Sequence, residues 1–223
     1  MAAAARTARA GTASSGSGSV ATTFAKIAPA RARQLFNWNR ILSVLHAAQA
    51  VVIVAISPTD ALVRFEGTYP VSKIVDGQFA GLSSAKELLF SFPLAYLVAA
   101  FFGLSALAHF LVAFPLRSRY EGWLAQQFNP MRWAEYALSS TLMILGIASL
   151  SFITDAGALI AIAVCNASMN LFGWSMEEAN IGRKRVQWSH YIFGCIAGIA
   201  PWIALFTSVG LSLANWPTGV GPN

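Results

Sequence analysis

The stretch that determines the fold class is NPMRWAEYALSSTLMILGIASLSFIT, residues 129–154. Asn129 is a residue type that caps helices, and Pro130 suits the first helical position, where its missing N–H needs no partner. Residues 132–154 form an apolar run close to the roughly 20 residues that a helix needs to cross about 30 Å of hydrocarbon. The sequence therefore predicts a membrane-spanning helix that begins at this Asn-Pro pair.

Four further apolar runs have similar lengths, at residues 38–57, 90–115, 156–177 and 188–211. A segment inside lipid must satisfy its own backbone hydrogen bonds, so each run is expected to be a helix. Between the third and fourth runs, residues 154–157 leave room only for a tight turn. The predicted fold class is an all-α polytopic membrane protein with five transmembrane helices.

The composition of the 223 residues supports this class. Apolar and aromatic residues make up 56% of the chain and charged residues only 11%, against roughly 25% charged in soluble domains. A soluble fold of this size could not cover its surface with so few charges, which excludes soluble enzymes, disordered chains and disulfide scaffolds. Cys165 and Cys195 both fall inside apolar runs and are expected to pack as small hydrophobic residues.

The basic residues predict the orientation of the spans. Twelve of the fifteen Lys and Arg residues fall on one side of the membrane, and only Arg64, Lys73 and Lys86 fall on the other. The positive-inside rule then places the N-terminus in the cytoplasm and the C-terminus outside. The net charge of +6 is accordingly a topology signal, and no nucleic-acid partner is expected. The twelve are Arg6, Arg9, Lys26, Arg31, Arg33, Arg40, Arg117, Arg119, Arg132, Arg183, Lys184 and Arg185.

Residues 1–34 differ from the rest of the chain. They contain no Asp or Glu, are rich in Ala, Ser, Thr and Gly, and include five basic residues. A disordered basic tail is the first interpretation, and an organelle transit peptide of the same composition is the second. Residues 35–223 are then the transmembrane domain, in the plasma membrane or an organelle membrane.

The first connection, residues 57–90, is too long for a simple turn. Its residues 61–65 and 69–75 alternate between apolar and polar side chains, which is the pattern of half-buried strands. The sequence predicts a short external β-hairpin over the bundle.

Ionisable side chains inside spans are costly and mark candidate functional sites. His46 and Gln49 share one face of the first span, because they are three residues apart. His109 lies in the second span and Glu135 in the third. Each lies on the order of 5–12 Å from the nearest basic residue of the same membrane side. Since neighbouring spans run in opposite directions, we expect one hydrated polar cluster in that half of the bilayer.

Each of these candidates also has a structural interpretation. Glu135 could snorkel to water at the start of its helix, and a membrane histidine often forms only an interhelical hydrogen bond. Asn166 and Ser139 suit helix–helix contacts, Trp133 suits a pocket wall, and Glu177 suits a helix end. The sequence contains no HExxH, GxSxG or Walker motif and no spaced metal-ligand set. It predicts neither an enzyme nor a metal site.

The chain resembles the heliorhodopsin family over residues 35–223. The most specific part is NPMRWAEYALSS, residues 129–140, which is similar to the third helix of that family. The order of the other segments agrees: LSALAHF at 104–110, NLFG at 170–173, MEE at 176–178, and the fifth span with its proline. The family's inverted orientation matches the cytoplasmic N-terminus predicted from charge.

This resemblance implies a seven-helix retinal protein that senses light and is usually a homodimer with an unknown signalling partner. Glu135 would be the counterion of the protonated retinal Schiff base, with Trp133, Ser139 and Asn166 facing the chromophore. The remaining positions would complete a polar cavity near that group; they are His46, Gln49, His109, Tyr136 and Glu177.

The chain departs from the family pattern at the lysine that binds retinal, which belongs to the seventh helix. Its four lysines, Lys26, Lys73, Lys86 and Lys184, all lie outside the predicted spans. The first hypothesis is a heliorhodopsin-like photoreceptor represented by a product that lacks the last two helices. The second is a retinal-free five-helix protein that acts through partners, and the third is a proton-conducting variant.

Overall fold

The computed structural model describes residues 26–215. In this range a β-hairpin (β1, β2) follows the first of six helices. The elements are α1 (Pro29–Ile56), β1 (Leu62–Val75), β2 (Gln78–Pro93), α2 (Leu94–Ala113), α3 (Arg117–Ala125), α4 (Pro130–Leu150), α5 (Ala156–Asn180) and α6 (Ser189–Ala214). All the helices except α3 are long and apolar enough to cross a membrane. The prediction of a polytopic membrane protein with five spans is therefore confirmed, and the cytoplasmic N-terminus stays a prediction.

Two helix starts follow directly from the local sequence. The Asn129 side chain accepts a hydrogen bond from the backbone N–H of Arg132 at 3.2 Å, and Pro130 occupies the first turn of α4. The Asp155 side chain caps α5 in the same way, accepting from the N–H of Ala158 at 2.9 Å. These caps satisfy N–H groups that have no partner within the helix.

Other boundaries differ from those predicted. Helix α1 begins at Pro29, so residues 29–34 of the segment predicted to be a tail are helical, while residues 1–25 lie outside the described range. Helix α3, which the sequence analysis did not predict, lies in the second connection. It is only nine residues long and has no apolar stripe that would distinguish it from a loop.

The predicted hairpin is present, but it is longer than expected. Its antiparallel strands run from Leu62 paired with Pro93 to Val75 paired with Gln78. Asp76 and Gly77 form the turn with φ of 51° and 77°. Two successive residues with positive φ are typical of the hairpin turn whose twist matches the strands.

The second strand also includes residues assigned by the sequence to the second span. The Phe65 ring stacks on Phe90 at 4.5 Å and on Phe92 at 6.2 Å between ring centroids. These aromatic contacts stabilise strand pairing as far as Pro93. A short apolar run cannot by itself distinguish a strand from a helix, which explains the error at residues 90–93.

The base of the hairpin is joined to the turn between α4 and α5. The Glu66 N–H donates to the Thr154 carbonyl at 2.8 Å, and the Thr154 hydroxyl donates to the Glu66 carboxylate at 2.7 Å. Glu66 also forms a parallel bridge with Asp155. Val63 is completely buried, so both backbone pairing and packing hold the hairpin to the helices.

The apolar core lies at this same end of the bundle. The main helix contacts follow the order α1–α2, α2–α4, α4–α5 and α5–α6. Residues from α4, α5 and α6 form one buried cluster, against which Phe65 of β1 packs. The cluster consists of Ile144, Ala148, Leu159, Ile162 and Leu205.

Two carboxylates at the hairpin base have lowered pKa values. The hydrogen bond from Thr154 lowers the pKa of Glu66, and the positive charges of Arg64 and Lys86 act in the same direction. Hydrogen bonds from the Thr68 side chain and the Ala158 N–H lower the pKa of Asp155. A carboxylate with a lowered folded-state pKa contributes stability above its ordinary pKa, and this is lost as pH falls through the lowered value.

We therefore expect acid to weaken the attachment of the hairpin. The thermal midpoint of the purified protein, followed by circular dichroism, should decrease below about pH 4, where carboxylates begin to protonate. Glu66→Gln should already be less stable at pH 7 and should show a smaller decrease between pH 5 and pH 3. Asp76→Asn, at the hairpin turn, is the matched control and should follow the wild type. Identical pH profiles for Glu66→Gln and the wild type would contradict this account.

Candidate functional site

Two of the predicted polar residues meet between α1 and α2. The His46 and His109 rings stack with 5.6 Å between centroids and 18° between planes. His46 Nδ1 lies 2.8 Å from Gln49 Oε1, as expected for side chains on one helix face. The structure thus brings His46, Gln49 and His109 into one hydrogen-bonded and stacked group.

Asn39 joins this group, although the sequence analysis did not select it. Its Oδ1 lies 2.8 Å from His109 Nδ1, and its Nδ2 donates to the Leu35 carbonyl at 2.9 Å. Asn39 is only 7% exposed, so these two hydrogen bonds satisfy a side chain that has little access to solvent. The sequence did contain a signal for Asn39, because this residue lies seven residues before His46 and hence on the same face of α1.

Glu135 faces α2 and is held there by a second missed residue. The Ser105 hydroxyl donates to Glu135 Oε1 at 2.6 Å, and Ser105 is buried. Ser105 lies one helical turn before His109, so the two side chains lie on the same side of α2. The ion pairs found among residues 26–215 do not include Glu135. Its carboxylate therefore lies within the bundle with a hydroxyl partner and without an Arg or Lys partner.

A cavity of about 170 Å³ lies beside these residues. It opens among α1, α2, α3 and the start of α4, and both polar and apolar side chains form its wall. We call it the polar cavity. It is lined by Asn39, Ala108, His109, Val112, Tyr120, Asn129, Met131, Arg132, Glu135 and Tyr136.

Glu177 lies near the end of α5 and contacts the start of α4. Its carboxylate pairs with the Arg132 guanidinium and accepts a hydrogen bond from the Asn129 N–H at 2.8 Å. It therefore neutralises a residue of the cavity wall without lining the cavity itself. This contact fixes the first turn of α4, six residues before Glu135.

Trp133 lies on a different face of α4 from Glu135. Its ring packs against Gly173 of α5, and the Arg132 guanidinium lies 4.6 Å from the ring centroid. The indole Nε1 is buried and has no hydrogen-bond partner among the described residues. The structure does not bring Trp133 to the polar cavity.

Ser139 and Asn166 also lie away from the polar cavity. Ser139 is 2% exposed. The Asn166 side chain donates to the hydroxyls of Ser140 at 2.8 Å and Thr141 at 3.0 Å, and Asn170 donates to Ser140 at 3.1 Å. This network joins α4 to α5, which is the helix-contact interpretation that the sequence left open.

Tyr136, which the resemblance places next to the chromophore site, lines the polar cavity but is 46% exposed. Among the nine predicted site residues, only His109, Glu135 and Tyr136 therefore line the polar cavity directly. No group of three His, Cys, Asp or Glu side chains in residues 26–215 could hold a metal ion.

The identity of the chain follows from its similarity to a known family. A sequence profile described as Heliorhodopsin matches residues 35–218, which is most of the chain. The chain belongs to the heliorhodopsin family. A search of curated proteins gives no match. Heliorhodopsins are rhodopsin-like membrane proteins that bind retinal, so the family supplies a cofactor class against which the site can be tested.

The residues of this heliorhodopsin fit one part of a retinal site. A carboxylate that is held by Ser105 and shares a cavity wall with His109 suits an organic cation. Covalent attachment does not fit the described residues, because Lys26 precedes α1, Lys73 and Lys86 lie in the hairpin, and Lys184 lies between α5 and α6. The described spans thus contain a candidate counterion and no candidate attachment lysine.

Proposed function

We propose that this protein is a light-sensing heliorhodopsin in which Glu135 is the counterion of a retinal-derived cation. The observation that carries the proposal is the position of the Glu135 carboxylate, inside a membrane bundle and hydrogen-bonded to Ser105 at 2.6 Å. An ionisable group in a span is costly unless it has a charged or polar partner. A bound cation would provide that partner.

The chain's own residues would have distinct roles around this cation. Ser105 orients the carboxylate of Glu135, and Glu177 holds the start of α4 through Arg132. The stacked rings of His46 and His109, with Gln49 and Asn39 as hydrogen-bond partners, would form the polar surroundings of the site. Bound retinal would supply the light-absorbing chromophore, and a nearby carboxylate keeps such a cation protonated.

The membrane arrangement belongs to the same proposal. We place the start of α1, α3 and the α5–α6 connection on the cytoplasmic side, because the basic residues concentrate there. The hairpin then lies on the opposite side of a plasma or organelle membrane. A homodimer and a separate signalling partner are proposed from family membership alone.

The test uses the purified chain in lipid nanodiscs. One sample receives all-trans-retinal, and a second receives a preformed Schiff base of retinal with butylamine, which needs no protein lysine. The second sample should develop a visible absorption band well to the red of the free compound. Glu135→Gln should lower the pKa of the bound cation by about 1–3 units, because its opposite charge is removed, and should weaken the visible band at neutral pH.

Glu178→Gln is the matched control, since Glu178 is an exposed carboxylate at the end of α5. Its spectrum should equal that of the wild type. An unchanged band in Glu135→Gln would refute the counterion role. A folded protein that gives no visible band with either compound would favour the retinal-free, partner-binding alternative.

A further inference from the structure

The outer face of α1 has an apolar groove that ends in polar side chains. Asn39 and His46, which contact His109 of α2, lie on the opposite side of the helix, so the groove faces away from the bundle. Its volume is about 680 Å³. We call it the α1 groove. It is lined by Asn37 and Arg40 at one end and by Ile41, Val44, Leu45 and Ala48 along its length.

The length of the α1 groove matches one leaflet of a bilayer. From Arg40 to Ala48 the groove follows the helix for about 12 Å, at 1.5 Å per residue. A leaflet provides half of a hydrocarbon layer that is about 30 Å thick. Arg40 lies near the start of the apolar part of α1, at the membrane surface. A lipid tail that lies along α1 would therefore place its headgroup beside Arg40.

A second arginine, the first residue of α3, lies close to this end of the groove. The guanidinium carbon of Arg40 lies 5.2 Å from the centroid of the Phe36 ring, and that of Arg117 lies 4.4 Å from the same centroid. The Phe36 ring itself packs edge-on against Phe114 with 5.9 Å between centroids. One aromatic ring thus positions two guanidinium groups that come from different helices.

The two positive charges are balanced by only one carboxylate. Because both guanidinium groups lie near one ring, they are separated by no more than roughly 8–10 Å, about the Debye length at physiological salt, and repel each other. Arg117 pairs with Glu121 at 2.9 Å. Arg40 takes part in none of the ion pairs found among residues 26–215. An anion bound at Arg40 would offset this repulsion.

We propose that this end of α1 binds one anionic phospholipid, with its phosphate at Arg40 and Arg117 and an acyl chain in the α1 groove. Guanidinium groups form paired, charge-assisted hydrogen bonds with phosphate oxygens. Anionic lipids are concentrated in the cytoplasmic leaflet, which is the side on which we place Arg40. This inference goes beyond the proposed function, because it involves neither retinal nor Glu135.

The test measures lipid binding to the purified, retinal-free chain in detergent. The protein is titrated with dioleoyl phosphatidylglycerol or with dioleoyl phosphatidylcholine, and native mass spectrometry gives the dissociation constant of the first lipid bound. The two lipids have the same acyl chains, so the comparison isolates the charge of the headgroup. Phosphatidylglycerol should bind at least about fivefold more tightly, the effect expected of one arginine on an anionic lipid.

Arg40→Gln should weaken the binding of phosphatidylglycerol by about fivefold and leave that of phosphatidylcholine unchanged. Arg40→Lys should retain part of the preference, because lysine keeps the charge and loses the paired hydrogen bonds. Val44→Trp fills the α1 groove with a large ring and should weaken the binding of both lipids. Arg185→Gln, an exposed arginine between α5 and α6, is the matched control and should bind both lipids as the wild type does.

Two results would overturn the phospholipid site. One is an equal affinity of the wild type for the two lipids, which would mean that the α1 groove contacts lipid without selecting a headgroup. The other is an equal loss of phosphatidylglycerol binding in Arg40→Gln and Arg185→Gln, which would mean that the lipid responds only to the total charge of the protein. Arg40 is exposed, so Arg40→Gln should keep the circular dichroism spectrum of the wild type.

Discussion

Gly173→Ala should lower the free energy of unfolding by about 1–3 kcal/mol, the usual cost of overpacking a tight interior. A methyl group built on Gly173 would lie 2.3 Å from a ring carbon of Trp133, far inside van der Waals contact. The indole is rigid, and Arg132 lies over it at 4.6 Å, so relief would require α4 and α5 to move apart. Unfolding in mixed detergent and SDS micelles measures the effect.

Gly198→Ala is the matched control for this change. A methyl group there would lie 2.3 Å from the sulfur of Met169, which is also too close. However, the flexible methionine side chain can move away at little cost. Gly198→Ala should therefore lower the free energy of unfolding by clearly less. Equal losses for the two variants would contradict the account of Trp133 as a rigid ring packed against Gly173.

Leu159→Ala should destabilise the protein by about 2–5 kcal/mol, since it creates a cavity in the apolar core. Leu159 is completely buried in α5, among side chains from α4 and α6. Ile160 is its neighbour in sequence and is 60% exposed on the outer face. Ile160→Ala should therefore cost much less in the same unfolding assay, because lipid or detergent replaces the lost contacts. Similar losses for both variants would show that this core is not tightly packed.

Much of the fold could be predicted because the membrane constrains it. Apolar runs of about 20 residues identified all five spans, and the Asn129-Pro130 pair identified the start of α4. The alternating pattern before the second span identified the hairpin. The end of β2, at residues 90–93, was missed because a short run of this kind can either pair as a strand or begin a helix. Helix α3 was missed for lack of an apolar stripe.

The site was less predictable, because it depends on which side chains meet. His46, His109 and Glu135 stood out as ionisable residues in spans. Asn39 and Ser105 did not, because a single Asn or Ser in a membrane helix is common and acquires a role only through its partner. Trp133 could have faced either the cavity or α5, and only the packing of its ring on Gly173 decides between them.

The hydrogen bonds that anchor the hairpin to Thr154 have a consequence for how the chain folds during synthesis. Glu66 and Thr154 are 88 residues apart in sequence. At a translation rate of 5–20 residues per second, the anchor is synthesised on the order of ten seconds after β1. During that interval β1 and β2 can pair with each other through their Asp76-Gly77 turn, but the hydrogen bonds between Glu66 and Thr154 cannot yet form. The nascent hairpin must therefore persist as a self-paired unit until the later helices have been inserted.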